Sequence, residues 1–360
     1  MTWLKDAFER IADDMPERDL AARAMAVHQR RRRNRTAFAA AAAVVVVTAL
    51  AATLGVRLLP QTPREPAAPV KPPERATIEV GVVPSTASAP LFVAAAKGYF
   101  EQEGLTVTPR TIISGAHAVP KVSADALDLA QADHLAALRA IRAGQPLKIV
   151  SGLYEPGPGT TALVVKAKSA IRSVADLKGK KIGVSYLRSM EELALAGLLK
   201  KAGLSLDDVK LIECPLPDMT AAMARGRFDA ALTVEPFVSM GAGQQRWRVL
   251  ADLLTGDFAD LPGQAWIASE EWIADNPATL AAFQRALAKA QRLIASDPGE
   301  AEAILPRYIR MTREESAAIK RGAYTTAIDL PGLRRLDELG RRYGFMKGRF
   351  DVQEAVLTSR

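Results

Sequence analysis

Short apolar runs alternate with segments of helical spacing from residue 76 to about residue 270. ATIEVGVV (residues 76–83) reads as a buried strand ended by Pro84. A helix opens at Pro90, runs through LFVAAAKGYF and stops near Gly104. LTVTPRTII (105–113) is a second strand, and Leu129-Ala130 begins a short third. HLAALRAIRAG (134–144) is a helix with a C-terminal glycine, and PLKIVSGL (146–153) another strand. The pattern continues with TALVVK, KKIGVS, a helix over 189–202, VKLIEC, a helix around 219–225, and DAALTV. From about Glu271 the chain reads as nearly all helical. Alternation of this kind predicts parallel-rich sheets covered by helices.

The order of the pieces predicts two α/β lobes joined by two strand-like crossings, near 160–166 and 263–269, that act as a hinge. Lobe 1 is expected over 76–160 and 265–345, lobe 2 over 161–264, and a C-terminal tail over 346–360. In open α/β sheets, ligands bind in the crevice at the strand ends.

Ahead of the lobes, residues 37–56 read AFAAAAAVVVVTALAATLGV, about 20 residues without a charge and enough to cross a bilayer core. Arg30, Arg31, Arg32, Arg33 and Arg35 crowd its N-terminal side, which predicts residues 1–35 in the cytoplasm and the rest outside. A cleavable signal peptide is the rival reading, with Ala49-Leu50-Ala51 as a conceivable cleavage site. The long charged stretch before the run and the length of the run favour an uncleaved transmembrane helix over 36–57. Trp3, Leu4, Ala7, Phe8 and Ile11 fall at helical spacing and suggest a short amphipathic helix. Residues 58–75, proline-rich and charged, predict an extended linker with roughly 3 Å of reach per residue.

Charge and cysteine content narrow the classes. The 360 residues carry a formal charge of +8, but the first arginine block has a membrane explanation and a second, Arg334, Arg335, Arg341 and Arg342, lies on a helix-like segment. No recognition motif accompanies the charge, so no nucleic-acid partner is expected. With Cys214 as the only cysteine, an intramolecular disulfide and a multi-cysteine metal site are excluded. No cysteine directly follows the apolar run, so a lipoprotein anchor is excluded too. Cys214 itself reads as a small buried residue at a strand.

Six segments then carry a resemblance. APLFVAAAKGYFEQEGLTV (89–107), LDLAQADHLAAL (127–138), GQPLKIV (144–150), SAIRSVADLKGKKIGV (169–184), KKAGLSLDDVKLIEC (200–214) and AAMARGRFDAALTVEPF (221–237) are similar, in this order, to the nitrate/sulfonate/taurine-type solute-binding proteins, a branch of the periplasmic-binding-protein superfamily. The likeness covers roughly residues 78–294. It departs at SADALD, where relatives commonly place a glycine before the aspartate, and at the N-terminus, since many relatives are lipoproteins or freely soluble. The resemblance implies a two-lobed, type II binding protein that closes on a small organic solute, a sulfonate, carboxylate or heterocycle, and delivers it to an ABC permease. It implies a monomer with no cofactor, no metal and no catalytic residues.

Loop-to-helix junctions supply the candidate ligand contacts, because helix N-termini offer free N–H groups. Ser85, Thr86 and Ser88 precede the helix at Pro90; Ser114 and Gly115 follow the second strand; Ser185, Tyr186, Arg188 and Ser189 lead out of KKIGV. Thr160 and Thr161 lie at the first crossing, Glu235 follows a lobe 2 strand, and Asp133 precedes the helix at His134. Each hydroxyl is equally suited to be a helix cap. Arg188 suggests an anion anchor gripping a carboxylate or sulfonate, whereas Glu235 suggests an amine or protonated ring nitrogen. Tyr154, Tyr186 and Trp266 could stack on a flat ligand or pack the core and hinge. His117 and His134, not at metal-ligand spacing, read as surface or capping residues.

Catalytic signatures are lacking: there is no G-x-S-x-G elbow or P-loop, and 157–162 fits G-x-G-x-x-A but precedes a strand. Two other classes stay open. The fold is shared with pyrimidine-forming enzymes of thiamine biosynthesis, which use a lysine or histidine and a cysteine-rich iron motif. A membrane sensor with the same lobes is the other.

Overall fold

The computed structural model of the protein describes residues 71–244 and 246–357. Residues 71–360 form one compact unit. The cytoplasmic segment (1–35) and transmembrane helix (36–57) expected from the sequence, and residues 58–70 of the expected linker, lie outside the described residues. Among the described residues no helix is long and apolar enough to cross a membrane.

The first sheet contains β1 (Thr77–Val82), β2 (Thr106–Thr111), β3 (Leu129–Asp133), β4 (Leu147–Glu155), β10 (Gln264–Ser269) and β11 (Ala323–Tyr324), in the order β11-β4-β10-β3-β1-β2. The second contains β5 (Thr161–Lys166), β6 (Lys181–Val184), β7 (Lys210–Glu213), β8 (Ala230–Val234) and β9 (Trp247–Asp252), in the order β7-β6-β8-β5-β9. The expectation of parallel-rich sheets needs correction. β1 pairs in parallel with β2 and β3, and β6 with β7 and β8. The strands at the crossings, β5 and β10, pair antiparallel with both neighbours, and β11 with β4. A strand that enters a lobe from the other lobe arrives without a crossover helix and so runs against its neighbours.

Helices cover both sheets. In the first lobe they are α1 (Ala89–Ala96), α2 (Tyr99–Gln102), α3 (Gly115–Ser123) and α4 (His134–Arg142). In the second they are α5 (Met190–Lys201), α6 (Leu216–Ala224) and α7 (Phe237–Gly243). The helix read as continuous from Pro90 to Gly104 breaks at Gly98, whose left-handed φ of 68° ends α1 and starts α2. After β10 come α8 (Glu270–Asp275), α9 (Pro277–Ser296), α10 (Gly299–Ile304), α11 (Arg313–Ala317) and α12 (Leu330–Arg342).

The longest helix shows how the sequence fixes packing. Pro277 starts α9 with its preset φ, and Leu280, Phe283, Leu287 and Ile294 make one buried stripe. Phe283 meets Trp266 edge-on with ring centroids 5.2 Å apart and stacks near Phe100. Trp266 is therefore core, not a ligand-stacking surface. Each such fully buried side chain contributes about 1.5–3 kcal/mol. The first turn of α9 is capped from the linker: Glu74 accepts from the amides of Ala278 and Thr279 at 3.2 and 2.9 Å. Those bonds hold the Glu74 carboxyl down at about 2, although partial burial opposes them. The folded unit thus includes Glu74 and Arg75, which the sequence reading left in the linker.

A second apolar cluster runs through both lobes, from Leu135, Leu138, Leu333 and Leu336 to Leu163, Ile182, Leu193 and Leu199. Val352 and Ala355 join it, and Val356 bridges Ile149 of β4, so residues read as a separate tail are packed on the first sheet. Cys214 is buried behind the second sheet.

Candidate functional site

The cleft lies outside the carboxyl ends of four strands. Ser85 follows β1, Asp133 ends β3, Ser185 follows β6, and Glu235 follows β8. Two adjoining cavities of about 50 and 40 Å³ open there, and both are lined by Ser85, Asp133, Glu191, Val234 and Gln264.

On the first-lobe side, β3 (LAQAD) is buried along its length and ends in Asp133. Asp133 Oδ1 caps α4 by accepting from the Ala136 amide at 2.9 Å, and its other oxygen accepts from the Tyr186 hydroxyl of the opposite lobe. The carboxylate that caps α4 thus also bridges the lobes. Burial pushes its carboxyl above the usual range, against the Tyr186 hydroxyl and the Ala136 amide, which favour the charged form. Two residues earlier, Gln131 is fully buried; its Oε1 accepts from the Val83 amide at 2.8 Å, while its Nε2 has no partner.

On the second-lobe side, Ser189 caps α5 by accepting from the Glu192 amide at 3.1 Å. Glu191, in the first turn of α5, faces the cavities, and its Oε2 is buried without a partner. Burial and then the Asp133 charge push the Glu191 carboxyl up. Glu235 is 1% exposed and accepts from the Ser239 hydroxyl at 2.6 Å, the Ser239 amide at 3.1 Å and the Lys320 amide at 3.1 Å. Burial still raises its carboxyl. Across the cleft the Thr86 hydroxyl donates to the Glu235 carbonyl at 3.3 Å.

Ten of the residues picked from the sequence line these cavities: Ser85, Thr86, Ser114, Gly115, Asp133, Thr160, Thr161, Ser185, Tyr186 and Glu235. Several are already committed to the fold. Ser114 caps α3, and a side chain at Gly115 would meet the Ala132 backbone at 2.4 Å. Thr160 Oγ1 donates to the Gly157 carbonyl at 2.7 Å. Ser85 differs: it is 2% exposed, and its Oγ has no partner. Tyr154 lines the larger cavity, its hydroxyl accepting from the Gly322 amide at 2.9 Å.

Three residues stand outside. Ser88 turns inward to the Val83 carbonyl and Gln131, and Ser189 is committed to its cap. Arg188 is the main correction. Its Nη2 donates to the carbonyls of Gly344 and Phe345, at 3.0 and 2.7 Å, and the guanidinium lies 5.0 Å from the Phe345 ring centroid. Its φ of 61° is left-handed, and carbonyls just past the end of α12 attract a cation. Arg188 ties the lobes together at the rim instead of gripping an anion within the cleft.

Sequence reasoning missed Glu191, Gln131 and Gln264. Gln131 carried a signal, a polar residue inside an apolar strand. Glu191 looked like an ordinary acidic residue in a helix's first turn. His134 also needs correction: it is 3% exposed, and burial lowers its imidazole to about 4.

The cleft is acidic. Asp133, Glu191 and Glu235 line it, and among the described residues no lysine, arginine or histidine lines either cavity. Four buried polar atoms without partners, Ser85 Oγ, Gln131 Nε2, Glu191 Oε2 and Gln264 Oε1, converge there. Asp128 shows the contrast. This buried carboxylate receives Arg75, the Glu79 amide at 2.7 Å and the Trp272 indole at 2.7 Å.

The sequence model of the family described as "NMT1/THI5 like" matches residues 85–301, which include Ser85, Gln131, Asp133, Glu191, Glu235 and Gln264. The riboflavin-binding protein RibY of Chloroflexus aurantiacus is 26% identical over 306 residues, 78% of this chain and 84% of RibY. A 4-amino-5-hydroxymethyl-2-methylpyrimidine phosphate synthase of Aspergillus parasiticus is 27% identical over 227 residues, 59% of this chain and 64% of the synthase. The alkanesulfonate-binding protein SsuA of Xanthomonas axonopodis pv. citri, solved with MOPS bound, shares the fold with a TM-score of 0.68. That match has 23% identity and covers 79% of this chain and 99% of SsuA.

Proposed function

This chain belongs to the NMT1/THI5-like family, and we propose that it is the substrate-binding component of an ABC importer, closing two lobes on a small organic solute and passing it to a membrane permease. The observation that carries the reading is the set of buried, unpartnered polar atoms gathered between two sheets. A folded protein leaves few such atoms, and a polar solute in the cleft would satisfy them. The bonds from Tyr186 to Asp133 and from Thr86 to the Glu235 carbonyl, each joining the two lobes, fit a site that closes over its ligand. RibY and SsuA, named for the solutes they bind, lend support. In this reading the apolar run at 37–56 anchors the chain, with residues 1–35 inside and the lobes outside the membrane.

A thermal-shift screen of small solutes on the purified chain tests it. A ligand at about 100 times its Kd adds about 2.7 kcal/mol of stability by mass action. A library in which nothing stabilises the chain, together with unchanged solute uptake after deletion of the gene, would overturn the reading. A reporter fused at position 70 that works only in the cytoplasm would overturn the topology. The synthase relative favours a second reading, an enzyme on the same fold; turnover of a stabilising ligand would select it.

A further inference from the structure

We infer that the cleft is built for an organic cation, whose nitrogen-borne protons are received by Asp133, Glu191 and Gln264 while its apolar body lies along Tyr154, Met190 and Val234. The inference rests on the solute-binding reading and names the chemical class of the solute.

The acceptors come first. Glu191 Oε2 and Gln264 Oε1 are both buried, both line the cavities and both lack a donor. The amides at the start of α5 favour one carboxylate there, yet Asp133 already places a second beside it. Arg139 acts on Asp133 from outside the lining, but two carboxylates sharing a small buried space with no cation lining it are poorly solvated and repel each other. Asp128 shows what this fold does with a carboxylate that has only a structural role: it surrounds it with donors. Glu191 has only its own amide and the Ser189 hydroxyl to favour its charge, and its Oε2 has no partner.

Two further residues point to a ligand independently of the acids. Ser85, 2% exposed, and Gln131, fully buried, aim an unpartnered Oγ and Nε2 into the smaller cavity. They can complete the hydrogen bonds of a heteroatom on the solute. Beside Thr86, Thr160 and Thr161, the larger cavity offers Tyr154, Met190, Val234 and Leu254 to a ring or chain. An anionic solute would meet Asp133, Glu191 and Glu235 with no lysine or arginine in the lining to offset them.

Benzamidinium, benzamide and benzoate, nearly the same in shape but cationic, neutral and anionic, test this by calorimetry on the purified full chain. Benzamidinium is expected to bind at least about tenfold more tightly than the other two. Glu191→Gln is expected to erase that preference while leaving the melting temperature equal or higher, because a desolvated charge pair contributes a factor of this size or more. If Glu191→Gln does not fold, the ranking on the unmodified protein decides alone. No binding of benzamidinium at millimolar concentration, a preference for benzoate, or an unchanged ranking in Glu191→Gln overturns the inference. The importer reading falls separately, when no solute of any charge stabilises the chain.

Discussion

Asp133 ends β3 and caps α4 from the first lobe; Ser189 follows β6 and caps α5 from the second. Both junctions put a strand end and a helix N-terminus at the cleft, directly in the first and through a short loop in the second. At the first, a single residue serves as cap, cavity wall and bridge to the other lobe through Tyr186. At the second these tasks are separate: Ser189 caps, Glu191 faces the cavity, and Arg188 reaches out to the end of α12. Where one side chain does everything, the motif residue and the site residue coincide. Where the tasks are divided, the charged residue that draws attention in the sequence can point away from the site, and its neighbour in the helix points in.

The largest effect should come from the junction with concentrated roles. Asp133→Ala removes a cap, the partner of a buried tyrosine hydroxyl and a cavity acceptor together. Loss of the cap costs about 1 kcal/mol and an unsatisfied buried hydroxyl about 1–3 more. Urea unfolding of Asp133→Ala should therefore show a loss of about 2–4 kcal/mol with an unchanged m-value. A loss below about 1 kcal/mol would mean that the bridge to Tyr186 contributes nothing. Ser189→Ala, which loses only a cap, should cost about 1 kcal/mol.

His134, the first residue of α4, sharpens the same comparison through pH. Its imidazole sits beside the Pro262 and Gly263 carbonyls and within reach of the Asp329 charge, yet burial dominates and lowers it from 6.5 to about 4. The folded state therefore holds the ring neutral where the unfolded chain takes up a proton. The resulting stability is fully present above about 6.5 and is lost as pH falls towards 4, by up to about 3 kcal/mol at 1.36 kcal/mol per pH unit. His134→Gln should flatten this part of the stability-versus-pH curve between pH 6.5 and 4. An unchanged slope would place the transition on other groups.

How much of this was readable beforehand follows the same division. Strand β5 was legible because TALVVK is an uninterrupted apolar run, and Asp133 because it stands directly before a helical repeat. β9 was missed: WRVLAD is an edge strand with little burial, so its apolar pattern is weak. The antiparallel sense of β5 and β10 was missed because pairing direction depends on which lobe a strand comes from, which no local pattern encodes. Arg188 was misplaced for a similar reason, since the carbonyls that hold it lie more than 150 residues away along the chain.

Glu191 and Asp128 give the third test, a carboxylate with one buried unpartnered oxygen against a fully satisfied one. Glu191→Gln removes a desolvated charge that has one oxygen buried without a partner, and should stabilise the empty protein by roughly 1 kcal/mol at neutral pH. Because the folded carboxyl is raised above 4.5, the stability linked to it is present below that pH and is lost as pH rises through the folded value. The gain from Glu191→Gln should accordingly grow with pH above about 4.5 and vanish below it. Asp128→Asn should destabilise instead, because it weakens the bond to Arg75 and leaves an amide proton facing donors. Equal signs in the two variants would remove the distinction between them.

The smallest effect is expected at Arg188, and it decides whether the outward turn of the second junction matters to the solute. The guanidinium donates to two carbonyls at the end of α12 from a partly solvated rim. Charge–dipole contacts in such places contribute about 0.3–1 kcal/mol, so Arg188→Ala should lower the unfolding free energy by less than about 1 kcal/mol. The contact joins the lobes, so its loss should favour opening slightly, and apparent affinity should fall only by the corresponding fraction, less than about fivefold. An arginine gripping an anionic solute inside the cleft would instead cost about 2–5 kcal/mol of binding on truncation, a difference that calorimetry resolves readily. The two outcomes are also separated by lysine. At the rim, Arg188→Lys keeps a cation beside the α12 carbonyls and should restore stability nearly in full, whereas a bidentate grip on a carboxylate or sulfonate would be recovered only in part. A large loss of affinity in Arg188→Ala, poorly rescued by lysine, would return the second junction to the site as a cationic wall and contradict the acidic cleft.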